Sequence, residues 1–276
     1  MRNPNYISRG QFFGSGGNDS FVPSSDFPTP DEEITPLSIP SLEAWYRIPS
    51  EVGFVNNNTL PVITDFSGKG KHLLKASALG AVYKTNSLNG LPGLLFSNTE
   101  SYTSTNGKAD TDFLHKGPST MIMVLKSTAD NLVNPILDTC NRSGGANIGR
   151  FLEFGVNAGN GAFYDVIYNG VDDFVSGGTT DPGSAPKDVP LVFCITFEPD
   201  IATDDYRNEI NNVIQQYKER LGLPSASTST NAPTWFVNNA YTQLFQGYMY
   251  EIQLYSARLT DIQRRSLIGG LNVYGL

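Results

Sequence analysis

The longest strand-like run in the chain is Gln246-Gly247-Tyr248-Met249-Tyr250-Glu251-Ile252-Gln253-Leu254-Tyr255. Aromatic and aliphatic side chains fill most of this run and no proline interrupts it, which predicts one long strand. Shorter runs of the same kind precede it at 121–125, 151–156, 162–168, 191–197 and 234–237. Turn residues separate the runs, so the sequence predicts a sandwich or barrel.

Two stretches break this pattern with apolar residues at helical spacing. In 204–221 apolar side chains recur every few residues, and Gly222 and Pro224 follow as stop signals, which predicts a helix. A second helix is predicted to begin after Thr260, because Thr260 and Gln263 fit the capping box. The side chains expected to face the core from this second helix are Ile262, Leu267, Ile268 and Leu271.

The composition favours an all-β protein and excludes several partners. Charged residues make up only 17% of the 276 residues, and there are 27 glycines and 17 prolines. The net charge of −8 argues against nucleic acid as the main partner. No apolar run reaches the ~18 residues of a membrane span. The N-terminus lacks the apolar core of a signal peptide, so we expect a cytoplasmic protein or one exported without such a signal.

Residues 1–40 differ from the rest of the chain. They are rich in proline and glycine, show no strand or helix period, and bury too little apolar surface to fold alone. Aromatic residues are spaced through them and are the expected anchors on the domain or a neighbouring subunit: Tyr6, Phe12, Phe13, Phe21 and Phe27. The sequence therefore predicts an extended attachment arm at 1–40 and a sandwich at 41–276.

Several short motifs beyond residue 40 occur in a characteristic order. They are Leu42-Glu43-Ala44-Trp45-Tyr46, Asp65-Phe66-Ser67-Gly68-Lys69-Gly70, Leu88-Asn89-Gly90-Leu91-Pro92, and Glu251 to Tyr255 followed by the capped helix. In this order they resemble the laminin-G-like jelly rolls of the concanavalin A-like lectin and glucanase superfamily. The resemblance covers about 41–276 and is strongest at the two ends. It implies an all-β, two-sheet antiparallel jelly-roll sandwich with adjacent terminal strands, here with two peripheral helices and the N-terminal arm.

No catalytic residues are predicted. The related glucanases carry a Glu-x-Asp-x-Glu triplet that is absent here, and Glu251 has Gln253 where a partner carboxylate would lie. We therefore expect a structural role for Glu251. Asp172-Asp173 is interpreted as a solvated turn, and His72 and His115 as loop residues without metal spacing. The protein is expected not to be an enzyme.

No cofactor is predicted either, with calcium at Asp65 as the alternative. In some members of the superfamily this neighbourhood holds calcium, which needs about six to eight oxygen ligands. Here Lys69, Lys71 and His72 crowd the turn, which favours an ordinary turn. The two cysteines, Cys140 and Cys194, cannot form a disulfide framework, and Cys194 is expected in a buried strand.

Two functions remain open. Jelly rolls of this type are frequent among bacteriophage virion proteins, so the resemblance implies a non-enzymatic structural protein of the head, tail or baseplate. It would be assembled in the host cytoplasm, and its arm would attach it to capsid or tail subunits. The alternative is a carbohydrate-binding module for host surface glycans, because lectin sites stack sugars on aromatic rings. The candidate glycan-binding residues are Tyr164, Tyr168, Trp235 and Tyr241.

Overall fold

The computed structural model describes residues 34–129, 134–140, 148–154, 161–169, 176–199, 206–215, 227, 229, 231–238 and 242–276. Within them the strands are β1 (Leu42–Arg47), β2 (Val62–Ile63), β3 (Leu73–Lys75), β4 (Val82–Leu88), β5 (Leu91–Ser97), β6 (Tyr102–Ser104), β7 (Ser119–Ser127), β8 (Asn134–Asp138), β9 (Ile148–Phe154), β10 (Phe163–Asn169), β11 (Ser176–Thr179), β12 (Leu191–Phe197), β13 (Tyr206–Ile210), β14 (Val213–Gln215), β15 (Thr234–Trp235) and β16 (Gln246–Tyr255). The α-helices are α1 (Phe113–Lys116) and α2 (Asp261–Gly270).

The strands form two antiparallel sheets, as predicted. The first sheet has the order β14-β13-β12-β7-β16-β5-β4, and β1 also pairs with β16. The second sheet has the order β11-β10-β9-β8-β15-β6-β3-β2. One apolar core joins them: Phe154 and Phe163 of the second sheet lie 5.2 and 4.7 Å, between ring centroids, from Phe193 of the first. The two-sheet sandwich is therefore confirmed.

Strand β16 spans the ten residues that the sequence predicted as one strand. It lies inside the first sheet and pairs with β1, β5 and β7. Its pairing with β1 places the strand at Leu42–Arg47 directly beside the strand at Gln246–Tyr255, so the expected adjacency of the terminal strands is also confirmed.

The helix predicted at 204–221 is wrong over the residues that the structure describes there. Residues 206–215 form the hairpin β13–β14, whose ends meet at the pair Ile210 and Val213. The two residues between them, Asn211 and Asn212, have φ values of 50° and 62°. Asparagine adopts this left-handed conformation more readily than most residues, and two such residues make the tight turn that suits a hairpin. The helical spacing of the apolar residues is therefore coincidental.

Helix α2 is confirmed, with its predicted cap. The side chain of Thr260 accepts from the amide of Gln263, whose side chain accepts in turn from the amide of Thr260. The side chains that face the first sheet follow the i, i+3, i+4, i+7 spacing of one helix face: Arg264, Leu267, Ile268 and Leu271. Ile262 falls off this face and is 64% exposed, so its predicted place in the core is wrong.

The last residues of the predicted arm contact the sandwich. Ile39 is buried, and Ile34 packs against the same apolar cluster between the first sheet and α2. Residues 1–33, with all five aromatic anchors, lie outside the described residues. Among the residues that the structure describes, no helix has the length and apolar character needed to cross a bilayer.

Candidate functional site

Strand β10 carries two tyrosines on the outer face of the second sheet. Phe163 and Ile167 belong to the core between the sheets. Because side chains alternate along a strand, Tyr164, Val166 and Tyr168 lie on the opposite, outer face. The hydroxyl oxygens of Tyr164 and Tyr168 are 3.3 Å apart, within hydrogen-bonding distance. The structure therefore brings two of the four predicted glycan-binding residues together.

The neighbouring strand β9 completes this surface. In the register of the two strands, Glu153 lies opposite Tyr164, and Phe151 lies opposite Val166. The rings of Phe151 and Tyr164 meet edge to face, with centroids 6.3 Å apart. We call this surface the tyrosine face, and it consists of Cys140, Phe151, Glu153, Tyr164, Val166 and Tyr168.

Most side chains of the tyrosine face, Glu153 at 4% exposure included, are buried. Phe151 and Tyr168 are only 6% and 8% exposed, whereas Tyr164 is partly exposed and is the accessible ring of the pair. Burial, the Tyr168 hydroxyl and the Glu153 carboxylate raise the pKa of Tyr164 well above its usual value. Its hydroxyl is thus protonated near neutral pH and can serve as a hydrogen-bond donor.

A buried ion pair supports this face from inside the sandwich. Arg150 of β9 donates through Nε and Nη2 to the two carboxylate oxygens of Asp165 of β10, at 3.1 and 2.8 Å. Both side chains are fully buried. A third donor, Nη1 of Arg150, reaches the carbonyl oxygen of Leu114 in α1 at 2.7 Å. This bidentate geometry fixes the relative position of the two strands that carry Phe151, Glu153 and the tyrosines.

Sequence analysis missed Phe151, Glu153 and the Arg150–Asp165 pair. Neither strand carries a clear local signal, because β9 holds two charged residues three positions apart and β10 holds only Asp165. An arginine and an aspartate on the core-facing positions of neighbouring strands predict a buried pair once the strands are known to be adjacent. That adjacency was not deducible from the separate runs.

The sequence predicted that His115 lies in a loop, and this prediction is wrong. It belongs to α1 and is fully buried, with Nδ1 3.4 Å from the hydroxyl oxygen of Thr139. Burial lowers the pKa of His115 to about 4, and the positive charges of Lys116 and Arg150 act in the same direction against the partial compensation by Asp112. The imidazole is therefore neutral at physiological pH.

Asp65 organises the turn where calcium was the alternative prediction. Its Oδ1 accepts from the amides of Trp45 and Ser67, both at 2.9 Å. Its Oδ2 accepts from the Ser67 hydroxyl at 2.8 Å and from the Lys71 amide at 2.9 Å. Both oxygens thus already accept two hydrogen bonds, and a cation would have to displace these donors. Among the described residues no cluster of acidic, histidine or cysteine side chains could hold a metal.

Glu251 has structural partners on the other side of the molecule. It is buried beneath the C-terminal segment, and its Oε1 accepts from Nε1 of Trp45 and from Nε2 of Gln253, both at 2.7 Å. Its Oε2 accepts from the hydroxyl of Tyr274 at 2.8 Å. These contacts attach β1 and the C-terminal segment to β16, which supports the structural role expected of this carboxylate.

The remaining candidate residues do not join the tyrosine face. Trp235 is fully buried in the core, where its Nε1 donates to the hydroxyl of Ser104 at 3.2 Å, so the prediction that it binds a glycan is wrong. Its strand β15 has only two residues, and alternation turns Trp235 inward and Thr234 outward. Tyr241 and Asp172-Asp173 lie outside the described residues. Cys194 is buried in β12, as predicted, and Cys140 is also buried.

No protein-family model matches the chain, and no curated protein matches it. Its structure is similar to an arabinofuranosidase complexed with arabinofuranosyl-α-1,2-xylobiose, with a TM-score of 0.55 and 16% identity over 78% of this chain and 51% of that one. It is also similar to domain 4 of AbnA, a GH43 extracellular arabinanase from Geobacillus stearothermophilus, in complex with arabinotriose. There the TM-score is 0.50 and the identity 11%, over 81% of this chain and 96% of that one.

A third similar structure is the binding domain of botulinum neurotoxin DC in complex with SialylT. The TM-score is 0.50 and the identity 12%, over 84% of this chain and 52% of that one. The chain thus spans about half the length of the arabinofuranosidase and of the toxin domain. At these identities the similarities establish the fold alone, which is a two-sheet antiparallel β-sandwich. None of these three structures is a virion protein.

Proposed function

We propose that the chain is a carbohydrate-binding protein that holds a neutral oligosaccharide on its tyrosine face and does not hydrolyse it. The observation that carries the proposal is the pair Tyr164 and Tyr168, with touching hydroxyls, beside Glu153 on the outer face of the second sheet. Aromatic rings accept the apolar C–H face of a sugar, and hydroxyl and carboxylate groups bind its hydroxyls. Two of the similar structures hold arabinose-containing oligosaccharides, which supports the same ligand class here.

Charge favours a neutral sugar over an acidic one at this site. Glu153 lies on the tyrosine face, and Asp138 of β8 pairs with Phe151, which places its side chain on the same outer face. The chain as a whole carries a net charge of −8. The two acidic side chains on this face therefore disfavour a ligand carboxylate here, independently of the charge elsewhere on the protein.

Binding to neutral oligosaccharides is the direct test. Calorimetry with arabino-, xylo- and gluco-oligosaccharides should find at least one ligand, and Tyr164→Ala should weaken its affinity by about tenfold or more, as expected for the loss of a stacking ring. Tyr248→Ala is the matched control, because Tyr248 is a partly buried tyrosine of the first sheet that stacks on Tyr250. If Tyr248→Ala weakens binding and Tyr164→Ala does not, the site is misplaced.

Hydrolysis is the alternative that this face raises. Glycosidases use two carboxylates about 5–9.5 Å apart, and Glu153 and Asp138 share the outer face. We favour binding without hydrolysis because Oδ1 of Asp138 accepts from the amide of Cys140 at 2.8 Å, which engages it in the backbone. Release of reducing sugar that Glu153→Gln abolishes would establish an enzyme instead.

The virion interpretation stays a prediction from the sequence. The residues meant to carry attachment, Tyr6 to Phe27, lie outside the described residues, and we keep the arm at 1–40 and its capsid or tail partners as a hypothesis. Both functions can coexist in one protein, since the arm and the tyrosine face are separate parts of the chain.

A further inference from the structure

A polar recess lies beside the first sheet, between the hairpin β13–β14 and helix α2. It has a volume of about 550 Å³, within the range of small-molecule sites. We call it the arginine groove, and it is lined by Arg207, Glu209, Asn212, Ile214, Arg265, Gly269 and Asn272. It belongs to the first sheet and shares no residue with the tyrosine face.

Among the residues described around the groove, one guanidinium group has no ion-pair partner. Glu209 is buried and contacts both Arg207 and Arg264, and Arg264 also contacts Asp261 at 2.7 Å. Arg265 is exposed and forms no ion pair with any acidic residue that the structure describes. Among the described residues, three guanidinium groups therefore surround two carboxylates, an excess of one positive charge in a protein whose net charge is −8.

Arg207 is positioned to contribute to the same site. Its Nε contacts Glu209, which holds the side chain in place, whereas Nη1 reaches Asp261 only at 4.0 Å. No residue in the described part of the chain accepts a hydrogen bond from Nη1 or Nη2 of Arg207. A planar guanidinium whose Nη groups donate no hydrogen bond within the described residues matches the two oxygens of an anionic group.

The rest of the lining fits a hydroxylated ligand. Asn212 and Asn272 are exposed and supply amide donors and acceptors. Ile214 is 50% exposed and offers an apolar surface at one side of the groove. Gly269 leaves open space at another side, because a Cβ atom added there would meet no atom within 4 Å.

We propose that the arginine groove binds an acidic sugar residue through its singly charged anionic group. The single excess positive charge matches one carboxylate or one sulfate ester, and the asparagines and Ile214 match the hydroxyls and the C–H face of the sugar ring. This site is independent of the neutral-sugar site proposed on the tyrosine face, so the protein would contact a mixed polysaccharide at two points.

The test uses the full chain and three probes: an oligogalacturonate with carboxylates, a sulfated galactan oligosaccharide, and a neutral galacto-oligosaccharide of equal length. We expect one of the two acidic probes to bind and the neutral probe not to compete with it. Which acidic probe binds identifies the anionic group. Binding should weaken as salt is raised from low to physiological ionic strength, because Arg265 is exposed. Failure of both acidic probes to bind would overturn the proposal.

Two variants locate the site. Arg265→Ala should weaken acidic-sugar binding by about tenfold or more, the usual effect of losing a charged hydrogen bond. Gly269→Leu should block the groove sterically while leaving every charge in place, and it should not destabilise α2, since leucine is a better helix former than glycine. Lys108→Ala removes one exposed positive charge elsewhere and is the control. If Lys108→Ala and Arg265→Ala lower the affinity for the acidic probe equally, the effect comes from net charge, which contradicts a specific site in the groove.

The proposals for the two sites can be tested separately, because a different variant affects each site. Tyr164→Ala should leave acidic-sugar binding unchanged, and Gly269→Leu should leave neutral-sugar binding unchanged. If Tyr164→Ala abolishes binding of the acidic probe, the probe occupies the tyrosine face and the arginine groove is not a site.

Discussion

The outer faces of the two sheets both carry tyrosines and a glutamate, but other parts of the chain cover the first face, whereas the second keeps a partly exposed ring. On the first sheet, helix α2 and the C-terminal segment cover tyrosines and a glutamate, and the polar groups bind one another: Tyr274 donates to Glu251, and Tyr255 donates to Gln253, at 2.8 and 2.7 Å. On the second sheet, the hydroxyls of Tyr164 and Tyr168 contact each other, and the ring of Tyr164 remains partly exposed.

This difference shows why residue type alone does not identify a binding face. Buried polar groups must find hydrogen-bond partners, and a helix packed on the sheet provides them from within the chain. Glu251 has three donors, two from the strands β1 and β16 and one from Tyr274 of the C-terminal segment, so its carboxylate acts as a structural link between strands and the C-terminus. On the tyrosine face, by contrast, one aromatic ring stays accessible to an external ligand.

The largest loss of stability is expected from breaking the Arg150–Asp165 ion pair beneath the tyrosine face. Asp165→Asn leaves the charge of Arg150 buried without a counter-ion and should lower the free energy of unfolding by about 3–5 kcal/mol. Chemical denaturation measures it. The double variant Arg150→Met with Asp165→Leu removes both charges and should recover much of the loss. An unchanged midpoint for Asp165→Asn would mean that the pair does not hold β9 and β10 together.

The second largest loss of stability is expected when the packing of α2 on the first sheet is weakened. Leu267 is 3% exposed and packs in the cluster beneath α2. Leu267→Ala should cost about 2–5 kcal/mol through lost burial and the cavity left behind. Val273→Ala is the control, because Val273 is 48% exposed and its truncation should change the unfolding midpoint little. Similar effects of the two variants would show that α2 does not cover the sheet.

Sequence patterns predicted the strands and sheets better than they predicted which side chains lie on the inner or outer face of each sheet. The run at 246–255 and the capped helix were found because each carries its signal within a few residues, as the Thr260–Gln263 box does. The hairpin at 206–215 was mistaken for a helix because apolar spacing in so short a stretch fits both periods, and the deciding signal was the pair Asn211-Asn212. Trp235 was misassigned because the inward or outward direction of a strand residue depends on register with strands distant in sequence.

The same limit explains the partial success at the candidate site. Tyr164 and Tyr168 were identified by residue type, and their spacing of four residues places them on one face of a strand. Glu153 and Phe151 were missed because their place beside the tyrosines follows from the pairing of β9 with β10. The Arg150–Asp165 pair needs that same pairing, so no local pattern could have revealed it.

A pH effect of intermediate size is expected from His115, which lies near the Arg150 end of this ion pair. Its pKa is lowered to about 4 in the folded protein, so the unfolded chain binds the proton more tightly. The stability that this difference contributes is present above about pH 6.5 and is lost as the pH falls towards 4, by up to about 3 kcal/mol. Unfolding midpoints measured across this range test it. His115→Gln should flatten the profile between these limits, and an equally steep profile in that variant would assign the effect to other groups.

The smallest effect concerns the end of the helix that makes the two faces differ. Thr260 accepts from the amide of Gln263 at 3.3 Å and caps α2, and Thr260→Ala should cost about 1 kcal/mol. Ile262→Ala, two residues further along the helix, should have almost no effect because that side chain is 64% exposed. Thermal melts of the two variants compare a cap with an exposed apolar residue on the same turn. If Ile262→Ala proves the more damaging, the Ile262 side chain is not on the exposed side of α2, and the assignment of the helix face that covers the first sheet is wrong.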